Sequence, residues 1–124
     1  MTVRTYKTGT QTATAATGSA TLTGVVGKII SVAIKVSAST DFTISYSLGG
    51  ITQNILGVVG STKLTVATSG IYYPVETRCL VDGTDSTADA NIFSQLVVDQ
   101  QDISIAASSM AAADTWEITI TAEE

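Results

Sequence analysis

Histidine is absent from this chain. Imidazole is the usual acid and base near neutral pH, so Ser-His-Asp and Cys-His mechanisms are excluded, and the commonest metal ligand goes with them. Cysteine occurs once, at Cys79. One thiol cannot form an intrachain disulfide, and one thiol without histidine cannot make a typical zinc site. Beside Leu80 and Val81, Cys79 reads as a small buried apolar residue rather than a reactive thiol or an intersubunit bridge.

Carboxylates are the remaining reactive groups. Asp82, Asp85 and Asp89 share one polar loop, and that density of oxygen ligands could hold Ca²⁺. The spacing is not that of an EF-hand, and no bidentate Glu follows at the required distance, so a solvated turn is the expected reading. Hydrolysis of a glycoside needs two carboxyl groups facing each other across a cleft. Asp99 with Asp102, and Asp114 with Glu117, are instead expected at strand ends. The glycine motifs Gly24-Val25-Val26-Gly27-Lys28 and Gly57 to Lys63 lack phosphate-loop spacing and the Ser or Thr after the lysine, so both read as turns. No catalytic residue and no cofactor are expected, and the chain reads as a non-enzyme.

Composition points the same way. Charged residues are 14% of the chain, against roughly 25% in an ordinary soluble domain. Thr and Ser together supply 34 of the 124 residues, so hydroxyls rather than charges are expected to cover much of the surface. A surface poor in Lys and Glu resembles interface surface. Net charge is −5, with about +3 on residues 1–62 and −8 on residues 63–124. Six scattered basic residues make a poor phosphate-binding surface, so nucleic acid is not an expected partner. No apolar run approaches membrane-spanning length, and the first residues lack the apolar stretch of a secretory signal. Folding in a reducing cytoplasm, with no membrane partner, is the expectation.

Elements able to present such a surface are legible as period-two alternation. Ile30, Val32, Ile34 and Val36 alternate with polar or small residues, as do Phe42, Ile44, Tyr46 and Leu48, then Trp116, Ile118 and Ile120. Breakers recur at intervals of about 8–12 residues, which suits a sandwich or barrel. Among them are Gly49-Gly50, Ser69-Gly70, the Asp82–Asp89 loop, a hairpin turn at Asp99-Gln100-Gln101-Asp102 and the Ala111–Asp114 connection. Strands are expected near 3–14, 20–25, 28–37, 41–48, 51–58, 62–67, 71–80, 91–98, 101–107 and 115–122. The fold class is all-β, an antiparallel sandwich of jelly-roll-like form with eight to ten short strands. Residues 19–124 form the sandwich domain. Residues 1–18, rich in Thr, Ala and Gly, form either an arm that orders on a partner or a first strand. Helix is confined to at most a turn within Ser108–Ala113 or Ser86–Ser94. Pro74 implies an edge strand or a strand entrance. Tyr72 and Tyr73 must split between two faces, which exposes one of them.

The succession Gly27-Lys28-Ile29-Ile30-Ser31-Val32, Asp41-Phe42-Thr43-Ile44-Ser45-Tyr46, Ile55-Leu56, Ile71-Tyr72-Tyr73-Pro74, Gln95-Leu96-Val97-Val98, Ile103-Ser104-Ile105 and Trp116-Glu117-Ile118-Thr119-Ile120 resembles small β-sandwich proteins of tailed-bacteriophage virions. The resemblance covers roughly residues 24–122. Several such proteins decorate, or cement, the outside of the capsid. It implies a virion structural protein made in the host cytoplasm, a homo-oligomer that is often a trimer, with the major capsid protein as partner. The expected contact residues are Tyr72, Tyr73 and Pro74 on one edge, and Arg4, Tyr6 and Lys7 in the N-terminal segment. The alternatives are a carbohydrate-binding module of a tail or spike, or another head or tail subunit.

Overall fold

The computed structural model describes residues 2–56, 63–77 and 93–124. Among them all regular structure is antiparallel strand, and no helix forms. The strands are β1 (Val3–Lys7), β2 (Gln11–Thr12), β3 (Gly18–Val36), β4 (Thr40–Leu48), β5 (Ile51–Leu56), β6 (Leu64–Val66), β7 (Gly70–Tyr72), β8 (Val75–Thr77), β9 (Phe93–Gln95), β10 (Val97–Ser108) and β11 (Thr115–Glu123). Nine of them make one sheet in the order β1-β11-β3-β10-β4-β5, with β2 on β11, β6 on β4 and β7 on β3. β8 and β9 pair separately. The all-β antiparallel expectation therefore holds, built on one continuous sheet.

β3 is the hub. Its first half pairs with β10, from Gly18↔Ala107 to Lys28↔Val97. Its second half pairs with β11, from Lys28↔Glu123 to Val36↔Trp116, and on its other side with β7. Two short strands were expected here, separated at Gly24 and Gly27. Instead both glycines lie inside one strand at φ +64° and +113°. Such angles disfavour a Cβ but not a hydrogen, so glycine lets the strand bend without ending. The register slips nearby: β10 carries an extra residue between Val98↔Gly27 and Gln101↔Val25, and β3 carries one between Gln101↔Val25 and Ile103↔Leu22. Side chains take up the amides at this corner. Gly24 N–H donates to Asp102 Oδ1 at 3.0 Å, and Val26 N–H donates to the Tyr6 hydroxyl at 3.3 Å.

The same slip corrects the expected hairpin at Asp99–Asp102. These residues sit within β10, where Gln100 takes φ +53° and the chain bulges without reversing. A second irregularity, between Thr121 and Ala122 of β11, sets Ser31 and Ile29 of β3 out of simple alternation. Ile29 is consequently buried, while Ile30, expected on the inner face, is half-buried. Alternation in β11 runs unbroken, with Trp116, Ile118, Ile120 and Ala122 all inward.

The apolar face is covered by the sheet itself. Ile118 and Ile120 of β11 and Phe42 and Ile44 of β4 are all fully buried. In a flat sheet β11 and β4 would lie roughly 14 Å apart, three strand spacings. Yet Phe42 and Trp116 meet edge to face with ring centroids 5.6 Å apart and planes at 67°. Aromatic contacts of this geometry contribute about 0.5–1.5 kcal/mol beyond their buried area. No buried side-chain polar atom lacks a hydrogen-bond partner among the described residues, and buried Thr40 donates to the Ala38 carbonyl at 3.0 Å.

The N-terminal segment is part of this sheet. β1 pairs with β11 from Val3↔Glu123 to Lys7↔Thr119, and β2 pairs through Thr12↔Thr115. Within residues 1–18, β1 and β2 thus pair with the chain's own β11. Ser108–Ala113 holds no helical turn. It is a connection with Ser109 and Ala113 at positive φ, in which Met110 N–H donates to Ala16 O and Ala113 N–H to Ala13 O. Asp41 ties this connection to β6, accepting from Thr65 Oγ1 at 2.6 Å and Ser109 Oγ at 2.8 Å.

Two stability measurements follow from these contacts. A Cβ on Gly27 would lie 2.5 Å from the Glu123 carbonyl oxygen, whereas one on Gly49 meets nothing within 4 Å. Both glycines have positive φ, so the clash isolates the packing cost. Gly27→Ala should lose at least about 2 kcal/mol in urea unfolding, and more than Gly49→Ala loses. Asp41 tests the acid limb. The hydrogen bonds from Thr65, then from Ser109, hold its carboxyl below the ordinary value of 3.8, and the Lys63 charge adds to them. A lowered folded-state pKa contributes stability that is present above the unfolded value and lost as pH falls through the folded one. Asp41→Asn should therefore melt below the wild type at neutral pH, and the gap should close below pH 3.8.

Candidate functional site

The outward face of the β1-β11-β3-β7 half carries the candidate site. Its side chains follow from register. Thr5 and Lys7 of β1 stand opposite Thr121 and Thr119 of β11, which stand opposite Ser31 and Ala33 of β3. Ala33 in turn faces Ile71 of β7. The result is a surface of hydroxyls and small side chains bounded by an apolar edge. Lys35 and Glu117 form the next cross-strand pair.

This face holds two hollows that share Lys35 and Glu117. The larger has a volume of about 440 Å³, opens widely to solvent, and is bounded by Ala33, Thr119, Ser69, Gly70 and Ile71. The smaller, about 170 Å³, lies toward Thr10, Ser37 and Trp116. Thr10 Oγ1 donates to Glu117 Oε2 at 3.2 Å, which fixes the carboxylate between the two. At the rim Ser69 Oγ accepts from Val36 N–H at 3.0 Å and donates to Val36 O at 3.4 Å, extending the β7 edge by one side chain. These groups can hydrogen-bond and pack against a partner.

The expected contact residues separate into different environments. Tyr72 packs against the core, while Tyr73 is 69% exposed. Their division between faces is the one alternation requires. Pro74 is buried between β7 and β8, at the entrance of a strand. Tyr6 also packs against the core and braces the β3 corner through its hydroxyl. Lys7 is exposed on the hydroxyl-rich face. Arg4 lies at the sheet edge, 3.6 Å from Glu124. Tyr73 and Lys7 are thus available for contact, and Tyr6, Tyr72 and Pro74 serve mainly the fold. Asp82, Asp85, Asp89 and Cys79 lie outside the described residues, and no group of three potential metal ligands occurs within them.

Ile71 and Lys35 were missed at the level of sequence, and Glu117, expected at a strand end, lies inside β11 as a contributor to this face. Ile71 is 61% exposed. Its position was implicit in the alternation, because an inward Tyr72 forces both neighbours outward. Lys35 and Glu117 carried no such signal, since their pairing depends on the β3–β11 register. No family model, curated protein or solved structure matches the chain.

Because Ile71 is mostly solvated, Ile71→Asp should leave stability within about 0.5 kcal/mol of wild type in urea unfolding. Trp116→Ala, at a buried position, should lose about 3–5 kcal/mol in the same assay. A large loss on Ile71→Asp would make this edge part of the core rather than a contact surface.

Proposed function

We propose that this chain is a structural subunit that works by surface contact, docking on a larger assembly through the Ile71–Tyr73 edge and the adjoining hydroxyl-rich face. The observation that carries this reading is the exposure of those two large side chains on one edge, beside a face of hydroxyls and small side chains. Water-exposed apolar side chains grouped with hydroxyls suit a partner surface better than bulk solvent. Following the resemblance to phage virion sandwiches, the assembly is a capsid, and the chain is a decoration or cement protein bound to the major capsid protein outside the head. Binding only to the assembled shell would stabilise that shell by mass action.

A sugar-binding module is less favoured by the aromatic residues. Phe42 and Trp116 are buried, while Tyr6, Tyr46 and Tyr72 pack against the core. Tyr73 alone stands well exposed among aromatic side chains of described placement, and stacking surfaces for sugars generally need a broader platform.

Antibodies raised against the purified chain should label the outer surface of virus particles in lysates of the source organism. The chain should co-sediment with those particles, and Ile71→Asp together with Tyr73→Ala should reduce its occupancy at least about tenfold. A chain that stays in the supernatant, or glycan-array binding that the double substitution abolishes, would overturn the proposal.

A further inference from the structure

Exposed edge strands offer unpaired backbone groups to any passing strand, and natural sheets guard them with charge, proline, or short length. Two edges here are guarded. β1 carries Arg4 and Lys7. β7 has three residues and is followed by Tyr73 and Pro74, whose ring nitrogen has no hydrogen to donate. β5 is different. Among the described residues it ends the sheet path, and it spans six residues with neither charge nor proline. The absence of charge extends from Phe42 to Thr62, with no Asp, Glu, Lys or Arg between Asp41 and Lys63.

The β4–β5 hairpin also extends past its pairing with β10. β10 pairs with β4 only as far as Ser104↔Ser45. Beyond it Tyr46, paired with Gln53, still packs against the core, and among the described residues Ser47↔Thr52 and Leu48↔Ile51 continue as a two-stranded ribbon, closed by Gly49 and Gly50 at φ +59° and +80°. Two glycines at positive φ suit the tight turn that matches strand twist. A two-stranded ribbon is marginal in water by itself. At its tip Leu48 is 61% exposed and Ile51 is 73% exposed. As cross-strand partners they lie on one face and form an apolar pair.

We propose that β5 is the edge through which two copies of this chain join, strand against antiparallel strand, across a twofold axis. Charge selects a second copy as the occupant. Across a twofold axis a patch meets itself, so a charge near the axis meets its like. A chain of net charge −5 repels its own copies on balance. An uncharged edge bearing an apolar pair is where two copies can approach without that penalty. Pairing there extends the sheet through both chains and covers Leu48 and Ile51. This inference is independent of the particle role, because self-pairing requires no capsid.

Sedimentation equilibrium of the full chain across a wide concentration range tests it. The mass should rise with concentration from 12.7 kDa toward twice that value and stop there. Ile51→Lys should weaken pairing at least about tenfold. Circular dichroism and Trp116 fluorescence check the fold, and Thr52→Lys replaces Ile51→Lys if that variant unfolds. A chain that remains monomeric throughout, a species of three times the chain mass, or undiminished pairing in the folded lysine variant overturns the proposal.

Discussion

With no helix among the described residues to cover it, the apolar face of this sheet leaves water by meeting itself. Each inward residue of β11 needs a residue of the β10–β4 half above it, and the Phe42–Trp116 contact is where that meeting is most specific. Folding a sheet over without cutting its hydrogen-bond ladder requires a strand that belongs to both halves. β3 is that strand, and its nineteen residues turn the corner through two glycines at positive φ. Close approach of the Glu123 carbonyl makes Gly27 the tighter of the two positions. The fold therefore depends on a backbone conformation as much as on apolar burial.

The corner also explains several side chains that might otherwise look incidental. Bending the ladder leaves amides without strand partners, and an unpaired buried amide is costly. Asp102 takes the Gly24 amide and Tyr6 takes that of Val26. Tyr6 thereby draws β1 into the structure of the bend, and the same strand pairs with the C-terminal β11. Glu124 N–H donates to Thr2 O at 2.8 Å, so both ends of the chain meet at this edge. Asp41 plays a comparable part elsewhere, joining β6 to the β10–β11 connection.

Once the core is closed, the remaining surfaces differ in what they can do. The β1-β11-β3-β7 face offers hydroxyls, one cross-strand charge pair and two exposed apolar side chains at β7. The β5 edge has no further strand partner among the described residues and carries an uncharged ribbon with one exposed apolar pair. The first suits side-chain contact and the second suits strand addition. A subunit bearing both could join its own copy and a second surface at once, which raises its effective affinity for an ordered lattice without any additional contact.

The amino-acid sequence by itself determined that the chain is built of antiparallel strands, because side-chain alternation in β4 and β11 is a local property that survives any arrangement of the strands. It also determined which reactive groups are missing, since histidine absent from the chain is absent from every site. Only the tertiary structure decided that the Gly24–Gly27 segment and Asp99–Asp102 lie within continuous strands rather than turns. Glycine and polar residues signal a break equally well whether the chain reverses or bulges, and the choice rests on the partner strand. The displacement of Ile30 by Ile29 has the same origin, a slip opposite Thr121 and Ala122 that no local pattern contains. The pairing of Lys35 with Glu117, more than eighty residues away, likewise depends on register. Alternation specifies which way a side chain points relative to its neighbours, and register specifies what it meets.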